Sequence, residues 1–190
     1  MCIRDRNIGG PDGAAGDWFG YSVDISGDTI VVGAHNHHEA GQADSGAAYV
    51  FVRDDSGTPD VCDDMWVFQA KLTPTLSQAN AEFGFSVAVD GDRILVGSPL
   101  EDAPATNQGA AYLFERMGTT WMQVAQLVEP GGSSSDEFGR AVDVDGNTVA
   151  IGAWRDDANG TDTGSVLFYE EFGGFWSFAE RMHAGAYATG

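Results

Sequence analysis

The chain states one pattern three times. A stretch that opens on Phe19-Gly20 closes on Gly33-Ala34; Phe83-Gly84 closes on Gly97-Ser98, and Phe138-Gly139 closes on Gly152-Ala153. Each opening Phe stands 14 positions before its closing Gly. A stretch that returns in register points to a unit that stacks on copies of itself and buries its faces between them.

Within each copy the pattern is that of strands. A short first strand is expected at Tyr21–Ile25, Phe85–Val89 and Arg140–Val144. A tight turn follows at Ser26-Gly27-Asp28, Asp90-Gly91-Asp92 and Asp145-Gly146-Asn147, where Asp-Gly between β-branched runs is a strong hairpin signal. The second strand is Thr29–Val32, Arg93–Val96 or Thr148–Ile151. After a polar loop, a third strand follows Gly46, Gly109 and Gly164, and a fourth begins at Trp66, Trp121 and Trp176. The Phe-to-Phe intervals are 64 and 55 residues. The longer one takes up a polar insertion around Asp54–Asp64, which carries Cys62. No amphipathic helix pattern occurs.

The third strand is apolar on both sides, as Ala48, Tyr49, Val50 and Phe51 show, so both of its faces need cover. Four strands per unit at this spacing predict an all-β chain of β-propeller blades stacked face to face. The repeated Trp residues, with Tyr49 and Tyr112, are expected in the core rather than in a site.

Phe-Gly-x-Ser-Val, a Gly-Asp turn, Val-Gly-Ala and Gly-x-Ala-Tyr-Val-Phe resemble the FG-GAP repeat in its short prokaryotic form. The motif positions are Phe19, Gly20, Gly33, Ala34, Phe83, Gly84, Gly97, Phe138, Gly139, Gly152 and Ala153. The resemblance covers about residues 19–182 and implies blades of a larger, about seven-bladed propeller like that of integrin α subunits. It also implies an extracellular or cell-surface setting and a non-catalytic role in binding or adhesion. The integrin form carries an Asp-x-Asp-x-Asp-Gly calcium loop between strands 1 and 2. Here that connection is a tight turn in all three copies, and in Val142-Asp143-Val144-Asp145-Gly146-Asn147 the Asp143 aligns with Ala88. The organisation expected is a non-native leader at 1–6, the tail of a preceding blade at 7–18, and repeats at 19–82, 83–137 and 138–190. Three blades leave two open faces, so self-association or neighbouring blades are the expected partners of those faces.

The formal net charge is −20, with a single Lys, Lys71. Such a surface repels phosphate backbones and anionic lipid, which excludes nucleic acid and favours cations or basic partners. No apolar run approaches the roughly 20 residues of a membrane-spanning helix. Cys2 and Cys62 are too few for a disulfide framework or a thiolate metal site.

In an up-and-down blade, the 2–3 and 4–1 connections share one face. The 2–3 loops place His37-His38, Glu101-Asp102 and Asp156-Asp157 at one topological position, joined by Glu39, Asp44 and Asp162. The 4–1 loops Thr75–Asn80 and Gly131–Ser135 stand beside them. The binding reading is a face for a protein or glycan ligand, or for a cation such as calcium. The structural reading is that these side chains accept backbone N–H bonds and close turns. His35 to Glu39 could hold a transition metal, yet its ligands are adjacent on one loop. No phosphate loop, His-Glu-x-x-His, nucleophile elbow or facing carboxylate pair is present. A second reading is a calcium- or carbohydrate-binding module. A third is an accessory domain of a secreted enzyme whose catalytic domain lies elsewhere.

Overall fold

The computed structural model describes residues 8–54, 57 and 65–183, and its described residues form twelve strands and no helix. The expected leader, both cysteines and most of the Asp54–Asp64 insertion lie outside the described residues. The first sheet is β1 (Ser22–Ser26), β2 (Thr29–Ala34), β3 (Ala47–Asp54) and β4 (Met65–Leu72). The second is β5 (Ser86–Asp90), β6 (Arg93–Ser98), β7 (Ala110–Met117) and β8 (Thr120–Leu127). The third is β9 (Phe138–Asp145), β10 (Thr148–Ala153), β11 (Ser165–Phe172) and β12 (Phe175–His183). Each is an antiparallel meander in chain order. These are three four-stranded, blade-like sheets, as the repeat predicts.

The first hairpin turn differs in detail from expectation. Its two residues are Gly27-Asp28, Gly91-Asp92 and Gly146-Asn147, because Asp90 and Asp145 still pair as the last residues of their strands. The turn glycines take φ between +53° and +55°. Glycine at the first position of a two-residue turn suits the twist of the flanking strands. The third and fourth strands slip by one residue at the same place in every sheet, leaving Gln69, Val124 and Ala179 as bulges. A bulge re-aims side chains and adds twist; here Gln69 Oε1 accepts the Trp121 indole N–H at 2.8 Å from the next blade.

The blades fan out from their first strands. β1 lies on β5 and β5 on β9, whereas β4 and β8 barely meet. Between blades 1 and 2 pack Val31, Val50, Phe83, Ile94 and Tyr112; between blades 2 and 3 pack Leu95, Leu113, Phe138, Ile151 and Leu167. The motif residues make the junction. Phe83 and Phe138 are fully buried, and each forms a parallel bridge to Gly46 or Gly109 of the blade before. A Cβ on Gly33 would stand 2.0 Å from Gly84 O, and one on Gly97 1.9 Å from Gly139 O. Only glycine lets these backbones approach so closely. Ser22 Oγ and Ser86 Oγ then donate to those same carbonyls at 2.9 and 2.8 Å.

The Trp residues are structural. Trp121 is buried, Trp66 and Trp176 are half-buried, and each has an arginine over its ring: Arg116, Arg53 and Arg93 respectively. Tyr49 and Tyr112 are buried, as expected.

Candidate functional site

The structure separates the two members of every 2–3 loop pair. His37, Glu101 and Asp156 are buried, while His38, Asp102 and Asp157 are exposed. The exposed members do one job in all three blades. His38 Nδ1 accepts the Asp44 N–H at 3.2 Å, Asp102 Oδ1 accepts the Asn107 N–H at 2.8 Å, and Asp157 Oδ1 accepts the Asp162 N–H at 2.7 Å. The three donating residues all have positive φ, between 48° and 51°. This is turn closure by a side-chain acceptor. Among the described residues, no hydrogen bond or ion pair joins the pair of one blade to that of another.

The buried members each sit in a polar station beneath the loops. In blade 1, His37 Nδ1 lies 2.9 Å from Asp17 Oδ2 and 3.4 Å from the Tyr49 hydroxyl. Its Nε2 faces Asp12 and Glu39 at 3.7 and 3.6 Å. Lys71 Nζ donates to Asp12 at 2.7 Å and to Glu39 at 2.5 Å, so an ammonium already sits where a metal would bridge those carboxylates. The Lys71 hydrogen bond, above all, holds the Asp12 carboxyl below its ordinary range. Burial pushes Asp17 up, but the bonds from His37 and the Ala14 N–H outweigh it and leave it low. A cavity of about 340 Å³ opens beside Asp12, Asp17, His37 and His38.

In blade 2 the station holds one acid. Glu101 Oε2 accepts from Ser98 Oγ at 3.3 Å, and Gln126 Nε2 donates to the Tyr112 hydroxyl at 3.1 Å. Burial pushes the Glu101 carboxyl and the Tyr112 phenol up. Above them a cleft of about 160 Å³ is lined by Thr75, Leu76, Gln78, Gln123 and Gln126, with Glu101 and Tyr112 as its floor. Gln78 clamps the two loops together: its amide donates to Asp102 O at 3.3 Å and accepts the Asp102 N–H at 3.2 Å. Gln123 Oε1 accepts from both the N–H and the hydroxyl of Thr75.

In blade 3 the station holds three acids, Glu129, Asp136 and Asp156, all buried. Arg181 is their one guanidinium, 2.9 Å from Glu129 Oε1 and 3.6 Å from Asp156 Oδ2. Burial, reinforced by Asp156, pushes the Glu129 carboxyl up to about 8. Asp136 is also pushed up, chiefly by burial.

The stations therefore share three columns. Asp17, Ala81 and Asp136 precede the Phe-Gly motif; His37, Glu101 and Asp156 come from the 2–3 loop; Lys71, Gln126 and Arg181 come from strand 4. Sequence reasoning found only the middle column. The other two stand at fixed offsets from the motif and could have been read by aligning the copies. Glu129 has Pro74 as its counterpart and left no such signal.

A family model described as FG-GAP repeat matches the chain three times, at residues 6–51, 66–114 and 121–169. No curated protein matches it.

Proposed function

The chain belongs to the FG-GAP repeat family, and on that premise we propose that it is a non-catalytic module of protein or glycan recognition, working outside the cell. Its ligand meets the face built by the 2–3 and 4–1 loops. One observation carries this reading: the cleft over Glu101 and Tyr112 is rimmed by amides and a hydroxyl, not by the acids that dominate the chain. Gln123 and Gln126 each use one amide atom, on Thr75 and Tyr112, which leaves the Gln123 NH2 and the Gln126 carbonyl to meet sugar hydroxyls or the main chain of an extended peptide. Leu76, 81% exposed, supplies an apolar edge against which a ring or side chain can rest. The cleft has room for one such group, with the rest of the ligand running over the loop face. A non-catalytic role is supported by what engages the candidate groups. Among the described residues, the side chains that reach the His37 ring are Asp12, Asp17, Glu39 and Tyr49, with no serine, threonine or cysteine nucleophile for it to activate.

Binding of the full chain to a glycan array and to a panel of extended peptides tests the reading. Leu76→Ala and Gln126→Ala are each expected to weaken the interaction about tenfold, or about 1.4 kcal/mol. No binding in either panel, or binding that both substitutions leave unchanged, would sink it.

A further inference from the structure

We propose that the third station, at the junction of blades 2 and 3, is a calcium site made by Glu129, Asp136 and Asp156. One oxygen from each carboxylate lies within 4.8 Å of the others. Oxygens that close can share one ion with bonds of about 2.4 Å, the ordinary calcium–oxygen length.

The second observation is a set of buried polar atoms with nothing to bond. Both oxygens of Glu129, Oδ1 of Asp136 and Oδ2 of Asp156 have no hydrogen-bond partner. The Glu129 side chain is 0% exposed. Arg181 reaches Glu129 only as an ion pair, out of line for a hydrogen bond. Ser165 Oγ, in a residue 8% exposed, lies beside Asp156 without a hydrogen bond of good geometry to it. Buried carboxylate oxygens without donors are costly, and here they converge.

The other two blades serve as internal controls. The first station answers its acids with Lys71, which touches both Asp12 and Glu39. The second has one acid only, with Ala81 and Gln126 in the flanking columns. In the third, three carboxyl groups face one guanidinium, and ionising all three would leave two negative charges without a counter-charge. A divalent cation supplies it. The donors are carboxylate and hydroxyl oxygens, which favour a hard ion over zinc or copper. The His183 ring stands 4.0 Å from Asp156 Oδ2, outside bonding range. The site differs in place from the first hairpin turn, where Asp143 and Asp145 are exposed on the same blade.

The test is calorimetric titration of the chelator-treated full chain with calcium chloride at physiological ionic strength. One ion per chain is expected. At a calcium concentration about 100-fold above Kd, Tm should rise by about 5–10 °C. Glu129→Gln and Asp136→Asn should abolish both the one-ion step and the Tm rise. Asp143→Asn combined with Asp145→Asn should leave both intact. If the first two variants fail to fold, the wild-type titration still decides. Absence of a saturable one-ion step overturns the proposal, as does loss of the step in the hairpin variant. A step given by zinc and not by calcium also overturns it. So does a calcium-insensitive chain in which a proton on Glu129 replaces the ion, seen as stability that falls through pH 8 with or without calcium.

Discussion

The second and third blades carry the same motif in the same register, but only the second is covered on both faces. In blade 2, β7 buries every residue from Ala110 to Phe114, on both sides of the sheet. In blade 3, β11 buries alternate residues, and Val166 is 39% exposed where its counterpart Ala111 is 0% exposed. Gly97 has the backbone of the next blade against it, whereas the nearest atom to a Cβ on Gly152 is Ala141 of its own sheet, at 3.5 Å. Blade 1 shows the complementary surface. Val23 and Ile25 are exposed at the register where Val87 and Val89 are buried in blade 2. Much the same residue types thus lie buried or bare according to what stands across from them. The burial of a blade is a property of the stack.

The glycines separate the two blades most strongly. Gly97→Ala drives a methyl into Gly139 O, which is backbone and cannot swing aside. It should part blades 2 and 3 and cost about 3 kcal/mol or more. Gly152→Ala has ordinary contact distance around it and should change stability by about 1 kcal/mol or less, in either direction. Urea unfolding of the two variants measures both. Equal losses would mean that the outer face of blade 3 is covered in solution.

The apolar core gives a second pair. Leu113 is 0% exposed between blades 2 and 3, and Leu113→Ala should cost about 2–5 kcal/mol. Val166→Ala, on the open side, should cost less than about 1 kcal/mol. A large cost at Val166 would again point to cover on that face.

The bare first strand of blade 1 and the open side of blade 3 are complementary, because Val23 and Ile25 stand where the residues that cover blade 1 stand in blade 2, while strands 2 and 3 of blade 1 are already covered by Ile8, Phe19 and Trp66. We propose that a second copy seats its first blade on the third blade of its neighbour. Such a head-to-tail contact need not close and can grow. Sedimentation velocity should show association that rises with concentration. Val166→Lys should remove it while shifting unfolding stability by no more than about 0.5 kcal/mol. A chain that stays monomeric at every concentration refutes the seating.

The strands and blades were legible because backbone rules act over short distances. Alternation, Gly in the turns and the Trp at each fourth strand all lie within one copy. The turn was misplaced by one residue because Asp90 and Asp145 suit a strand end as well as a turn. The candidate site was harder. His37 and His38 look alike in sequence, yet one is buried against Asp17 and Tyr49 while the other caps a loop. Burial of Glu101 and Asp156 depends on Tyr112 and Arg181, which come from later strands. A carboxylate in a loop carries no local mark of whether a later strand will roof it over. Glu129 shows the limit, since nothing at its counterpart Pro74 announces an acid there.

The smallest expected effect concerns that roofed position and reads the two blades in opposite senses. Burial lifts the Glu101 carboxyl above its ordinary value of 4.5, and among the described residues no basic side chain acts on it. The folded chain therefore holds this proton more tightly than the unfolded chain does. Its contribution is fully present below the unfolded value and is lost as pH rises through the folded one. At the same position in blade 3, burial works against the Asp156 carboxylate too, but the nearby Ser165 hydroxyl, the Ala158 N–H and the Arg181 guanidinium outweigh it and hold it low. Its contribution is present above the unfolded value of 3.8 and is lost as pH falls through the folded one. Unfolding measured across pH in chelator should show Glu101→Gln flattening the limb above the ordinary glutamate range, and Asp156→Asn flattening the acid limb. A pair of substitutions that flattened the same limb would mean that the two stations share one electrostatic environment, and that Arg181 does not distinguish them.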